Sequence, residues 1–420
     1  MFADLTSLEG DPAQAANALR QLVPEGESVA AAVAEIIDQV GAGGDAAVLE
    51  LTQRFDTGGA APPPLRVSDE DLAAAQRELP ADVRAGLEQA IENVRRVAEK
   101  ALSPDRRVAF AHHEVTVREA PVHRAAVYVP GGRAPYPSTV VMGVVAAQSA
   151  GVRDVVVASP PSRDGTVHPA ILGACGLTGA AEVYRMGGAQ AVAALALGTE
   201  TVAPVDVIVG PGNLYVQEAK RQLSARVGLD SFAGPSDLLV IADPGADPEL
   251  ITLDLLAQAE HGSGSLVVAV STSTPLLEEI QRRLAGFGDT GAVVALVQVP
   301  STEHALQLAQ AFAPEHLQLI GPEAEALAPR VNTAGCLFVG AAAATAFGDY
   351  IAGSNHTIPT GGAARFASAL SPRHFRRSFT EVRIADPSEL ARAAAPVARA
   401  EGFELHARSM EARIRENDGR

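Results

Sequence analysis

From Val122 onward, short apolar runs alternate with helix-patterned stretches, and this alternation limits the possible folds more than any other feature of the chain. The spacing predicts strands at Ala125–Val129, Asp154–Ala158, Glu182–Met186 and Asp206–Val209, with helices at Ser138–Ala147, Pro169–Cys175, Ala189–Leu197 and Leu214–Ala225 between and after them. A second series follows. It predicts strands at Asp237–Ala242, Leu266–Ser271 and Ala292–Gln298, helices at Pro248–Ala259, Pro275–Leu284 and Glu303–Phe312, and one more strand at Cys336–Val339. Strand, helix, strand at this spacing requires crossover connections and parallel sheets. The expected fold is α/β, with two Rossmann-like parallel-sheet domains joined near Ser236.

The regions flanking this core are helical in pattern. Ser28 to Phe55 reads as two helices separated by a turn at Gly41–Gly44, and Ser68 to Leu102 reads as continuously helical, with Asp69 and Glu70 early and Arg95, Arg96 and Lys100 late. After Pro372 the chain turns basic and then helical from Pro387 to Arg415, which suggests a small helical C-terminal tail.

Composition excludes several function classes. Lys plus Arg number 33 against 50 Asp plus Glu, a formal net charge of −17 that repels phosphate backbones and anionic lipid, so no nucleic acid and no membrane surface is expected as a partner. Cys175 and Cys336 are the only cysteines, which rules out a disulfide framework or a CxxC knuckle and suits a cytoplasmic setting. No apolar run reaches the roughly 18 residues of a membrane helix, and the acidic start from Met1 to Pro12 has no signal-peptide pattern.

A G-x-G-x-x-G pattern occurs at Gly286–Gly291, but it follows a predicted helix and precedes a strand, the reverse of a dinucleotide fingerprint. Better phosphate-facing candidates are Val129-Pro130-Gly131-Gly132, Gly187-Gly188-Ala189-Gln190 and Gly210-Pro211-Gly212-Asn213, each of which follows a strand and opens a helix. Any one alone is an ordinary βα turn, but three on neighbouring strands would line one carboxyl-end crevice, with Tyr128, Gln190 and Asn213 offering polar groups to it.

The second half is richer in donors. Gln258 and His261 lie three apart on a helix end and share a face, although a helix-terminal His is commonly no ligand. Pro314-Glu315-His316-Leu317 places an acid beside an imidazole, expected on a loop just after a helix, and is equally compatible with a surface pair. Asp349 and His356 lie seven apart in a Gly-rich loop, and Glu401 and His406 lie on the C-terminal helix, where a solvated role is the simpler one. Gln258, His261, Asp349 and His406 together offer N and O donors without thiolate, a set suited to zinc, although spacing does not show that they converge.

In order, Val127-Tyr128-Val129-Pro130-Gly131-Gly132, Gly187–Gln190, Gly210–Asn213, Ala233-Gly234-Pro235-Ser236, Gln258-Ala259-Glu260-His261-Gly262, Pro314–Leu317 and Gly353-Ser354-Asn355-His356-Thr357 closely resemble the histidinol dehydrogenase family, most densely from Val122 to Arg377. The resemblance implies two successive NAD-linked oxidations of L-histidinol to L-histidine, with one zinc per subunit held at Gln258, His261, Asp349 and His406. It implies NAD contacts at Tyr128, Gln190 and Asn213, and a substrate pocket of Ser236, Glu315, His316, His356 and Glu401 together with the zinc ligands. Glu315 and His316 would be catalytic. It also implies a homodimer in which the tail crosses to complete the partner's site. Two departures are conservative: Ala257 where Ser is familiar and Asp237 where Glu is familiar. The division expected along the chain is a helical segment at 1–24, a discontinuous α/β domain of 25–127 plus 238–370 carrying the metal and catalytic motifs, an NAD-binding domain at 128–237, and the tail at 371–420.

Three rivals are set against this reading. A related dehydrogenase of a sulfonated diol is disfavoured by Glu401, because a carboxylate repels a sulfonate. A zinc hydrolase would not need the three glycine turns. A non-catalytic nucleotide-binding protein would leave the His-rich second half unexplained.

Overall fold

The structure is a computed structural model that describes residues 2–7, 11–23, 28–131, 134–231 and 234–414. Gly132 and Ala233 of the motifs above lie outside the described residues, as does Arg415 at the end of the predicted tail helix. The described strands are β1 (Phe2–Ser7), β2 (Arg106–Ala109), β3 (His113–Pro121), β4 (Arg124–Tyr128), β5 (Asp154–Ser159), β6 (Glu182–Arg185), β7 (Val207–Val209), β8 (Gly228–Leu229), β9 (Asp237–Ala242), β10 (Leu266–Ser271), β11 (Val293–Gln298), β12 (His316–Ile320), β13 (Cys336–Val339) and β14 (Arg376–Ile384). The chain divides into a large unit, residues up to 101 with 122–375, and a small unit, 102–121 with 376 onward.

The large unit holds two parallel sheets, with the orders β6-β5-β4-β7-β8 and β1-β11-β10-β9-β12-β13. In each, the first strand of the α/β series lies centrally and the order reverses beside it, between β4 and β7 in one sheet and between β9 and β12 in the other. This is doubly wound topology. The central strands are buried on both faces, which explains their unbroken Val/Leu/Ile composition. Alternate residues of β9 and β10 serve opposite cores. Leu239, Ile241, Val268 and Val270 pack with Leu306 and Phe312, whereas Leu238, Val240, Val267 and Ala269 pack with Ile251, Leu255 and Leu277.

Helix Pro12–Gln21 packs on the six-stranded sheet, whereas the helices between Ala30 and Lys100 belong to the five-stranded sheet. Val33, Val40, Val48 and Leu51 share a core with Ala126, Val156 and Ile208, and Leu87, Ile91 and Val94 share one with Val127, Val157 and Val209. This packing differs from the expected pairing of 25–127 with 238–370. Because β4 runs through Tyr128, the boundary at 127/128 also cuts a strand.

Other elements differ for local reasons. The first 24 residues hold the parallel edge strand β1 as well as helix Pro12–Gln21. Ala30–Phe55 is two helices meeting at a kink at Gly44 (φ 53°), within the Gly41–Gly44 stretch where the break was expected. The stretch Ser68–Leu102 is broken between Asp69–Glu78 and Ala81–Lys100 at Pro80, whose ring forbids a continuous helix. Glu315 lies in the short connection after helix Thr302–Phe312, as expected, whereas His316 opens the buried strand β12.

The small unit is an antiparallel sheet, β14-β3-β2, with helices Ser388–Ala400 and Glu404–Glu411. The tail is therefore part strand and not wholly helical. Strand β14 is largely exposed on both faces, so it carries no clean alternation for a sequence reading to detect. Val108, Phe110, Val382, Ile384, Val397 and Phe403 are exposed, and Leu405 is 77% exposed. No helix among the described residues is long and apolar enough to cross a membrane.

Candidate active site

Two sets of residues stand out in the large unit, and they occupy opposite ends of their strands. The glycine turns follow β4, β6 and β7, so they lie at the carboxyl ends of the five-stranded sheet. Helices Gly188–Leu197 and Leu214–Leu223 begin there, and their N-terminal amides favour anions. The Tyr128 hydroxyl accepts a hydrogen bond from Gly188 N at 3.1 Å, and burial pushes that hydroxyl up to about 12. Gln190, 2% exposed, donates through Nε2 to Asp56 Oδ2 at 3.3 Å. Asn213 is exposed and caps its helix, its side-chain oxygen accepting from Val216 N at 3.1 Å.

Backbone approaches closely here. At Gly131 a Cβ would lie 3.0 Å from Ser159 Oγ, and at Gly210 (φ 110°) it would lie 2.1 Å from the Tyr128 carbonyl oxygen, so neither position accepts a side chain without a shift. Ser159 Oγ is buried without a hydrogen-bond partner. The Gly210 peptide is gripped from both sides. Lys220, fully buried, donates to Gly210 O at 2.5 Å and to Asp230 Oδ1 at 2.9 Å, while Gly210 N donates to Asp230 Oδ2 at 2.7 Å. These glycine-lined turns, helix N-termini and the orphaned hydroxyl fit a dinucleotide.

The second set lies at the amino ends of the six-stranded sheet. Ser236 precedes β9, Glu315 precedes β12 and His316 opens it, and helix Pro248–Ala259 carries Gln258 in its last turn and ends just before His261. Here helix C-termini point inward and favour cations. Ser236 Oγ donates to Glu315 Oε2 at 2.5 Å and accepts from Gln258 Nε2, which turns the Gln258 carbonyl oxygen the other way. Glu315 Oε2 also accepts from Asp237 N at 3.0 Å.

His316 is 2% exposed, stacks against Phe338 at 5.8 Å, and has no hydrogen-bond partner on either ring nitrogen. Its Nδ1 is 3.8 Å from Glu315 Oε2 and its Nε2 is 3.6 Å from Asp349 Oδ1. Burial pushes the imidazole down, but Glu315, Asp349 and Asp237 outweigh this and hold it above its usual range. Burial raises the Glu315 carboxyl, with Asp237 adding to the rise against the opposing pull of His316. Burial also pushes Asp349 up, yet the His316, His356 and His261 imidazoles more than offset it and leave the carboxyl below its usual range. Asp349 and His261, with the Gln258 amide near a helix C-terminus, offer N and O donors of the kind a divalent cation takes.

The two sets meet through His356. Its Nδ1 is 3.1 Å from Asp349 O and its Nε2 is 3.2 Å from Thr139 Oγ1, in the first turn of the helix that follows β4. Gln258, Ser236, Glu315, His316, Asp349 and His356 thus form one connected group, and His261 lies close enough to act on the Asp349 charge. Among the described residues there is no group of three or more His, Cys, Asp or Glu that could hold a metal, and the large-unit candidates Gln258, His261 and Asp349 include only two residues of those types. Glu401 and His406 belong to the small unit, where both are exposed and His406 packs edge-on to Phe403 at 5.1 Å. Arg20, Asp56, Thr139, Lys220 and Asp230 carried no signal in the sequence, because each acts through a partner distant in sequence or on another element.

A phosphate-facing crevice beside a buried acid–imidazole pair is the build of an α/β dehydrogenase. A family model described as histidinol dehydrogenase matches residues 20–414. The chain is 43% identical over 401 residues to a histidinol dehydrogenase of Prochlorococcus marinus, covering 91% of this chain and 90% of the other, and 39% identical to that of Thermobifida fusca, covering 97% and 96%. The crystal structure of histidinol dehydrogenase from Elizabethkingia anophelis superposes with a TM-score of 0.90 at 29% identity, covering 98% of this chain and 97% of the other. The chain is an NAD-dependent oxidoreductase acting on a CH–OH group. It belongs to the histidinol dehydrogenase family.

Proposed function

We propose that this chain is a zinc-dependent L-histidinol dehydrogenase, oxidising L-histidinol through histidinaldehyde to L-histidine with two NAD, the final step of histidine biosynthesis. The observation that carries the reading is His316, buried between the Glu315 and Asp349 carboxylates with neither ring nitrogen in a hydrogen bond, and linked past Asp349 through His356 and Thr139 to the cofactor side.

His316 acts as the general base, taking the alcohol proton as hydride leaves the carbinol carbon for NAD and the aldehyde forms. Glu315 takes a proton from water as it adds to that aldehyde, giving the singly ionised hydrate. Loss of hydride from the hydrate to a second NAD, with loss of a proton, yields the carboxylate. Ser236 holds Glu315 in place, and His356 and Glu401 contact the substrate. Gln258, His261 and Asp349, with His406, hold one zinc per subunit, whose chemistry is to fix the substrate nitrogens for reaction, with any Lewis-acid role secondary. Tyr128, Gln190 and Asn213 contact NAD.

The assembly we propose is a homodimer in which the small unit serves the partner, bringing Glu401 and His406 to a shared site. The exposed Val382, Ile384, Val397, Phe403 and Leu405 support it, since large apolar side chains left exposed on one small unit are commonly covered at an interface. Cys175 and Cys336 are free thiols, in keeping with a cytoplasmic enzyme.

The test is NADH formation by zinc-loaded protein with L-histidinol before and after chelation. The expected result is turnover that is lost with the metal and restored by zinc. Turnover only with a different alcohol moves the substrate, and no NAD reduction with any alcohol overturns the reading.

A further inference from the structure

Helix Thr302–Phe312 ends immediately before the catalytic pair, and its end is unusual. Ala313 has φ 50°, the one non-glycine residue among those described with a positive φ. A left-handed C-cap is normally glycine, because a Cβ there is strained by about 1 kcal/mol. The turn is held by a side chain from the far N-terminus. Arg20 donates to Phe312 O through Nε at 3.2 Å and Nη2 at 2.5 Å, and to Ala313 O at 3.3 Å, with its guanidinium 3.9 Å above the Phe312 ring. Its remaining arm donates to Asp237 Oδ2 at 3.1 Å.

Asp237, 1% exposed, passes the constraint on. Its Oδ1 accepts Glu315 N at 2.7 Å, its own N donates to Glu315 Oε2 at 3.0 Å, and its Oδ2 also accepts Gly361 N at 3.3 Å. Glu315 is therefore tied to Asp237 at both its backbone and its carboxylate, and Asp237 is tied to the strained turn through Arg20. Stability alone does not call for this arrangement, since a glycine at 313 would cap the helix without a buried ion pair.

We propose that Arg20 and Asp237 are positioning residues that set the Glu315 carboxylate for its proton transfer. This rests on the function proposed above, in which Glu315 takes the proton of the water that adds to the aldehyde. Loosening the clamp therefore slows aldehyde oxidation more than alcohol oxidation, for which His316 is the base.

The test compares wild type, Arg20→Met, Asp237→Asn, Asp237→Glu and Arg20→Met/Ala313→Gly as zinc-loaded protein. L-histidinol and histidinaldehyde are supplied separately, and single-turnover NADH formation, NAD affinity and melting temperature are read for each. The expected result is aldehyde oxidation slowed about 100-fold in Arg20→Met and Asp237→Asn, the loss that misplacement by about 1 Å produces. Alcohol oxidation falls less than tenfold, NAD affinity is unchanged, and Asp237→Glu recovers most of the aldehyde rate. In Arg20→Met/Ala313→Gly the melting temperature recovers while the aldehyde rate does not. Equal loss in both half-reactions, no loss in either, or recovery of the aldehyde rate together with the melting temperature overturns the inference and leaves the functional reading standing. A wild type inactive on both substrates overturns both.

Discussion

The two sheets of the large unit share one topology and use opposite ends of it. The five-stranded sheet works at its carboxyl ends, where helices begin, glycines remove side chains and N–H groups favour anions. The six-stranded sheet works at its amino ends, where helices finish and carbonyls favour cations, and there it gathers Gln258, Glu315, His316 and Asp349. One end suits the phosphates of a dinucleotide, and the other suits a metal ion and an amine-bearing substrate. Topology thus offers two kinds of site, and the charge of the ligand decides which end of the strands is used.

Each end also uses an ion pair on a buried carboxylate to fix a loop. Lys220–Asp230 grips the carbonyl and amide of Gly210, and Arg20–Asp237 grips the carbonyls of Phe312 and Ala313 and the amide of Glu315. In both cases the base takes carbonyls and the acid takes an amide.

The sharpest way to break the comparison is to remove the base at the amino end. His316→Ala is expected to lower kcat by about 10²- to 10⁴-fold while NAD affinity stays as it is. A loss of NAD affinity of similar size would show that the two ends do not act separately. Metal content gives the next largest effect. His261→Ala is expected to cut bound zinc affinity by about 10- to 100-fold, again without change in NAD binding, as read by elemental analysis and equilibrium binding.

The complementary variant acts at the carboxyl end. Breaking Lys220–Asp230 by removing one partner leaves a buried charge, so the informative variant is Lys220→Met/Asp230→Asn. NAD affinity is expected to fall about tenfold, ~1.4 kcal/mol, with zinc content unchanged. Unaltered NAD affinity would limit the pair to a folding role.

The smallest effect concerns Asp56, which burial raises to about 6 against the opposing hydrogen bond from Gln190. A carboxyl whose folded pKa is raised holds its proton longer in the folded state, so its favourable contribution is present below about pH 4 and is lost as pH rises to about 6. Asp56→Asn should remove roughly 1 kcal/mol of that fall, a figure reduced because Asp56 is partly exposed. Denaturation midpoints across this window would show it, and an unchanged profile would place the Asp56 charge in solvent.

Much of this was legible in the sequence because buried parallel strands carry an unmistakable pattern. Asp237–Ala242, Leu266–Ser271 and Cys336–Val339 have the bounds that their apolar runs predict. The placement of the glycine turns at the carboxyl ends of one sheet was legible too, because three of them follow predicted strands and open predicted helices. The residues of the amino-end site were also flagged, but their convergence at strand starts was not legible. Pro314–Leu317 follows a helix so closely that it resembles a loop, and the left-handed turn at Ala313 that frees His316 to open β12 is invisible without Arg20, 293 residues earlier. The N-terminal helices gave a clear local pattern but no sign of which sheet they cover, since an apolar face does not name its partner.

The most direct test of the account is the number of NADH formed per L-histidinol consumed by the zinc-loaded enzyme. Two NADH, with L-histidine as the product, is the predicted result, because the roles proposed for His316 and Glu315 would supply both a base for the alcohol and a carboxylate for water addition. One NADH, with histidinaldehyde released, would contradict the assignment of Glu315 and leave the amino-end site with only half of its proposed chemistry.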